Sequence, residues 1–150
     1  MTKVQKKYRP LKSEDVLSVY KKLQDEGIVC FGLTDQAVSK VESLVGNVNG
    51  SFYGVDSYPS PEIRAAAFFY FIIKDHAFTD GNKRTAVLTL VSHCEINNLD
   101  ILFPSDELDA LAIYIESQKT EGYQDFIKVL SDILFTDVYS REVAAEKEKA

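Results

Sequence analysis

The stretch His76-Ala77-Phe78-Thr79-Asp80-Gly81-Asn82-Lys83-Arg84 sets an imidazole, a carboxylate, a glycine turn and two cations in immediate succession. What flanks it decides the fold. Upstream, Ser60-Pro61-Glu62 is a helix start, with an N-cap hydroxyl, a proline suited to the first turn and an acid that complements the helix dipole. The residues that follow, 65–73, are apolar on nearly every side, which predicts a helix buried all round and ending at Lys74-Asp75. Downstream, Asn82 can cap a second such helix, in which Ala86, Val87, Leu88, Leu90, Val91 and Cys94 are again apolar on most faces up to Asn97-Asn98. Two buried helices joined by a polar loop predict a mostly α fold, a helical bundle.

Further out, the same periodicity continues. Ser13 with Glu14 and Asp15 opens an amphipathic helix carrying Val16, Val19, Tyr20 and Leu23 up to Gly27. Residues 28–32 form a short apolar connector expected to pack under its neighbours. Thr34 caps a second helix with a stripe of Ala37, Val38, Val41, Leu44 and Val45, for which Gly46 is the expected stop. From 47 to 60, glycines, asparagines and Pro59 punctuate Phe52, Tyr53 and Val55, as in a short hairpin that either displays aromatics for binding or folds them onto the core. After Pro104, Ser105 starts a helix with Leu108, Leu111, Ala112 and Ile115, and Gly122 separates it from a last amphipathic piece with Phe126, Ile127, Leu130, Ile133 and Leu134. The expected organisation is a loosely held arm over 1–11, one domain over 12–136 and a charged tail over 137–150.

Composition excludes several classes. Of the 150 residues 45% are hydrophobic and 27% charged, a globular balance that suggests neither disorder nor membrane residence. No apolar run has the length of a bilayer span or the form of a signal peptide, so a cytoplasmic location is the default expectation. A net charge of −6, with basic residues gathered only near the start, argues against a nucleic-acid footprint. Cys30 and Cys94 lack metal-ligand spacing and are expected to be buried free thiols.

A loop entering a helix is where an anion is best held, because the first turn has unpaired N–H groups and a positive dipole end. Gly81 allows close approach, Asn82 can cap or donate its amide, Arg84 offers a planar fork and Lys83 a second positive point. Asp80 stands where a Mg²⁺ would be expected beside phosphate oxygens. His76 is the residue type suited to taking a proton from a hydroxyl near neutral pH, and Phe78 is expected to plug the loop into the core. Taken singly, each residue is more often structural than functional. Together they conflict with the helix dipole, since cations at a helix N-terminus cost about 0.3–1 kcal/mol each unless an anion is present.

The nine residues resemble the signature loop of the Fic/Doc family, H-x-F-x-[DE]-G-N-x-R, with His76, Phe78, Asp80, Gly81, Asn82 and Arg84 on its defined positions. The resemblance implies a Fic-like helical bundle with a flap near 51–58 that aligns a target. It further implies transfer of AMP from ATP onto a Ser, Thr or Tyr hydroxyl of a target protein. On that pattern His76 is the base, Asp80 the Mg²⁺ ligand and Arg84 part of the catalytic set, while Phe78, Gly81, Asn82, Lys83 and Arg84 hold the nucleotide. Two positions depart from the AMP-transferring form: Lys83 stands where glycine is usual, and Val87 where a second arginine holds the γ-phosphate. Both look like the Doc branch, whose toxin members transfer the γ-phosphate to the translation factor elongation factor Tu and can be held by an antitoxin, although Gly81 stands where that branch often has alanine. Residues 117–122 fit the letters of the family's inhibitory pattern, with Glu121 as its acid. The competing reading is a non-catalytic nucleotide- or protein-binding module that kept the loop.

Overall fold

The computed structural model describes residues 7–137. The chain forms α1 (Ser13–Asp25), α2 (Asp35–Asn49), a hairpin of β1 (Ser51–Phe52) and β2 (Val55–Asp56), α3 (Pro61–Lys74), α4 (Asn82–Ile96), α5 (Leu108–Ser117) and α6 (Tyr123–Phe135). The fold is mostly α, as expected. Helix α3 is the hub. It packs most extensively against α4 and also against α2, α5 and α6, while α1 closes over α2 and α4. Its side chains explain that place: Ala65, Ala66 and Ala67 let neighbours approach, and Phe68, Phe69, Ile72 and Ile73 are buried on different faces.

Local chemistry fixes the ends. The Ser60 hydroxyl accepts from the Ile63 N–H at 3.1 Å and Pro61 occupies the first turn of α3. The Thr34 hydroxyl does the same for Ala37 at 3.0 Å. At α1 the expected Ser13 cap lies inside the helix; Lys12 takes the cap position, and Asp15 accepts its N–H at 2.8 Å. Helix α2 runs past Gly46 to Asn49, because Val48 is buried and the Asn49 amide donates to the Leu11 carbonyl at 2.8 Å. Those tertiary bonds outweigh the modest helix cost of one glycine, about 1 kcal/mol.

The hairpin pairs Ser51 with Asp56 and Phe52 with Val55, and turns on Tyr53 and Gly54, both at positive φ. Phe52 and Tyr53 project outward, 72% and 91% exposed, whereas Tyr58 packs against the core edge-on to Phe71. Arg64 anchors the hairpin's base to α3, donating to the Tyr58 carbonyl at 2.9 Å and to Asp56 at 3.2 Å.

Three further expectations need correction. Residues 8–11 are not loose: Arg9 exchanges backbone hydrogen bonds with the Asn97 side chain, and Leu11 is buried. In the connector only Val29 is buried, while Ile28 and Phe31 remain largely exposed. Cys30 is exposed, so of the two free thiols only Cys94 is internal, and burial pushes that thiol up to about 12. Most of the proposed tail, 138–150, lies outside the described residues.

Candidate functional site

The loop between α3 and α4 is held from below. Phe78 is buried and stacks on Tyr20, with ring centroids 4.1 Å apart and planes within 10°. Tyr20 is itself fixed through its hydroxyl, which donates to the Phe31 carbonyl at 2.5 Å. The plug expected of Phe78 is therefore in place. Asn82 does not cap α4. It is the first residue of the helix, and its side chain folds back so that Oδ1 accepts from the Phe78 N–H at 3.0 Å and Nδ2 donates to the Phe78 carbonyl at 2.8 Å. Its amide braces the loop, and its free donor capacity is correspondingly reduced.

Gly81 supplies the turn into the helix. Its φ is +81°, a left-handed conformation in which a side chain is strained, and an added Cβ would lie 2.5 Å from Cγ1 of Val29. Both the backbone and its neighbour demand glycine. Beyond it, the amides of Asn82, Lys83 and Arg84 stand in the first turn, where helix geometry leaves N–H groups without an intrahelical acceptor.

Asp80, Gly81, Asn82, Lys83 and Arg84 share one cleft of about 360 Å³, bounded by Ile28 and Val29 on one side and by Asp109 and Ile113 of α5 on the other. Arg84 is exposed and in no ion pair among the described residues. Lys83 is different: its ammonium bonds both oxygens of Glu116 on α5, at 3.1 and 3.0 Å. Half of the charge conflict read from the sequence is thus answered within the chain, and Arg84 is the cation left for a guest.

Asp80 is exposed with no hydrogen-bond partner among the described residues, and Asp109 brings a second carboxylate to the same cleft. Oxygen donors of this kind fit Mg²⁺, which takes one or two carboxylates and completes its shell with phosphate oxygens and water. Asp109 escaped the sequence reading because it lies on a different element, and only the packing of α5 on α4 carries it here.

His76 and Phe78 do not line that cleft. His76 is exposed at φ +46°, an uncommon conformation for a residue other than glycine, just after α3 ends at Lys74. Its neighbour Asp75 borders a second, larger cavity of about 710 Å³ that runs past Tyr58, Phe71 and Tyr123. Burial raises the Asp75 carboxyl, an effect that Lys40 and His76 oppose. The inhibitory pattern is not realised as a helix: only Ser117 belongs to α5, and Glu121 is an exposed turn residue outside the cleft. Lys74 and Lys83 both reach the end of α5 instead, Lys74 donating to the carbonyls of Glu116 and Gln118.

With this geometry, the comparisons with known proteins are unambiguous at the level of family. Residues 10–94, more than half of the chain and the whole loop, match the Fic/DOC family, and the chain belongs to it. Toxin Doc of Mycolicibacterium smegmatis (strain ATCC 700084 / mc(2)155) is similar to this chain, 37% identical over 71 residues. That match covers 47% of this chain and 49% of the relative, so the chain spans about half the length of the curated relative it matches. No solved structure matches. No helix among the described residues is long and apolar enough to cross a membrane.

Proposed function

We propose that this chain is a transferase that moves a phosphorus-containing group from ATP onto a hydroxyl side chain of a target protein. The observation that carries the proposal is an exposed His76 with no hydrogen bond among the described residues, on the same short loop as a helix-entry cleft that holds Asp80 and an Arg84 in no ion pair among those residues. Phosphate binding alone would have no use for a base held at a positive φ on the same loop.

In this reading the phosphates lie on the first-turn amides of α4 and on Arg84, and Asp80 holds Mg²⁺, which would supply charge neutralisation at the phosphate oxygens. His76 takes the proton from the target hydroxyl; the oxygen then bonds to phosphorus as the P–O bond to the departing part of ATP breaks. ADP leaves if the γ-phosphate is transferred, and pyrophosphate if AMP is. Val87 is half-buried against the core and brings no charge to the place of a second arginine, which favours γ-phosphate transfer. The 37% identity to Toxin Doc weighs the same way and supports a toxin role, with an antitoxin and a cytoplasmic protein, a translation factor among the candidates, as partners. The working unit is 12–136, with 8–11 tied onto it.

Incubation with Mg²⁺, a bacterial lysate and ATP labelled at either the α- or the γ-phosphate tests the reading. Protein label from γ is expected. Label from α would identify AMP transfer instead, and no label from either while ATP still binds would leave a non-catalytic binding module. His76→Ala is expected to abolish label while nearly keeping the wild-type melting temperature, since the side chain makes no hydrogen bond or ion pair among the described residues; an unfolded variant would assign His76 to structure.

A further inference from the structure

The proposed transfer needs a segment of the target held beside His76, and the residue just before His76 opens onto the cavity of about 710 Å³. Three half-buried rings line it. Phe71 lies between Tyr58 and Tyr123, with ring centroids 6.4 and 5.8 Å away and planes inclined by 70° and 67°. Rings so inclined make a corner rather than a flat stack, and the face of an aromatic ring attracts a cation. On the hairpin side the rim is already fixed, because Arg64 ties the Tyr58 carbonyl and Asp56 to α3.

Asp75 stands at the end of this wall. Its backbone continues the helical conformation past Lys74 and its N–H bonds the Phe71 carbonyl at 2.9 Å, so it lies one turn beyond Phe71 on the same side of α3. Its carboxylate makes no hydrogen bond and no ion pair among the described residues. Burial raises that carboxyl, and the cations that oppose the shift, Lys40 and His76, do not come within ion-pair distance. Lys128 is the one cation among the lining residues, and it is not among the charges that act on Asp75. A lone carboxylate one turn from a corner of rings suits a guest that is both cationic and flat. A guanidinium is both, since it stacks on a ring while its N–H fork meets the two carboxylate oxygens; an ammonium is compact and strongly hydrated.

We propose that this cavity seats an arginine side chain of the target protein, its guanidinium on Asp75 and against Phe71 and Tyr123, a few positions from the hydroxyl presented to His76. The inference rests on the transferase reading and adds what the target must carry. Asp75 and His76 are consecutive, about 3.8 Å apart at Cα, which is also the spacing of neighbouring residues in the segment they would hold. The net charge of −6 favours the approach of a basic segment.

Nα-acetylarginine amide is the probe, titrated into the isotope-labelled full chain and followed by amide shifts in NMR spectra. Saturable shifts at Phe71, Asp75 and Tyr123 are expected. The citrulline analogue, with the same shape and no charge, should bind at least about tenfold more weakly, and the lysine analogue several-fold more weakly. Asp75→Asn should keep the parental melting temperature and ATP affinity yet lose at least about tenfold in affinity for the probe. In a lysate with labelled ATP, the arginine probe should suppress protein label and the citrulline analogue should not. Equal binding of either analogue, an Asp75→Asn variant that titrates like the parent, no saturable shift, or saturable binding that leaves protein label untouched would each overturn the proposal. Saturable binding to a chain that transfers nothing from ATP would instead remove the transferase reading, and with it the target as the owner of the arginine.

Discussion

At the scale of single residues, Gly81 is the least replaceable position of the loop. Alanine there would meet Val29 at 2.5 Å while held at φ +81°. Gly81→Ala is expected to cost on the order of 1–3 kcal/mol, read as a lower urea midpoint, and to abolish protein labelling. A variant of parental stability would show that Val29 and the turn can yield. The departure from the alanine of Doc-type loops is thus matched to the neighbour this chain carries at position 29. Residue types in the loop were legible in the sequence, because a base, an acid and a glycine at a helix entrance state their chemistry directly. Their bonds were not. Asn82 is an apt phosphate donor by type, yet its amide is spent on Phe78, and Lys83 is an apt anion holder, yet it is met by Glu116 from 33 positions along the chain.

Among the elements, the sequence made α3 plain through its apolar faces and its Ser60-Pro61 start, and it made the presence of α4 plain but not its burial, since Leu88 and Val91 of the expected apolar surround stay exposed. What escaped was set by contacts between elements. Gly46 fails to stop α2 because Val48 is buried and Asn49 holds Leu11, and residues 8–11 look polar and loose until Asn97 is brought beside Arg9. Helix α5 shows the same dependence. Its last turn receives Lys74 from the end of α3 and Lys83 from the start of α4, so the loop is bracketed by two lysines that share one anchor. Cations are favoured at that end of a helix, where the carbonyls lack partners. Lys83→Met and Glu116→Gln should each lower stability by up to about 1 kcal/mol, the modest worth of a half-exposed pair, and the double variant should cost less than the sum. Additive costs in a double-mutant cycle at low salt would mean that the two side chains do not interact in solution.

For the molecule as a whole, His93 ties stability to pH. Its pKa falls from the ordinary 6.5 to about 4 on burial, so between those values the unfolded chain binds a proton that the folded one refuses. Its contribution is fully present above about pH 6.5 and is lost as pH falls toward 4, with on the order of 3 kcal/mol at stake. Asp75 acts in the opposite sense, since burial raises its carboxyl and the fold gains as that group protonates. Urea unfolding at pH 7.5 and 4.5 should therefore show a loss that His93→Gln largely removes; an unchanged slope in that variant would assign the acid sensitivity elsewhere. The lysine bracket has a last consequence, for descent. The region that matches the family ends at residue 94, but the anchor of its loop lies at 116, outside it. Substitutions at 83 and 116 should be inherited as a pair: in a lineage that replaces the lysine by glycine, an acid at 116 loses its partner and should drift, and aligned relatives in which the two positions vary independently would contradict that.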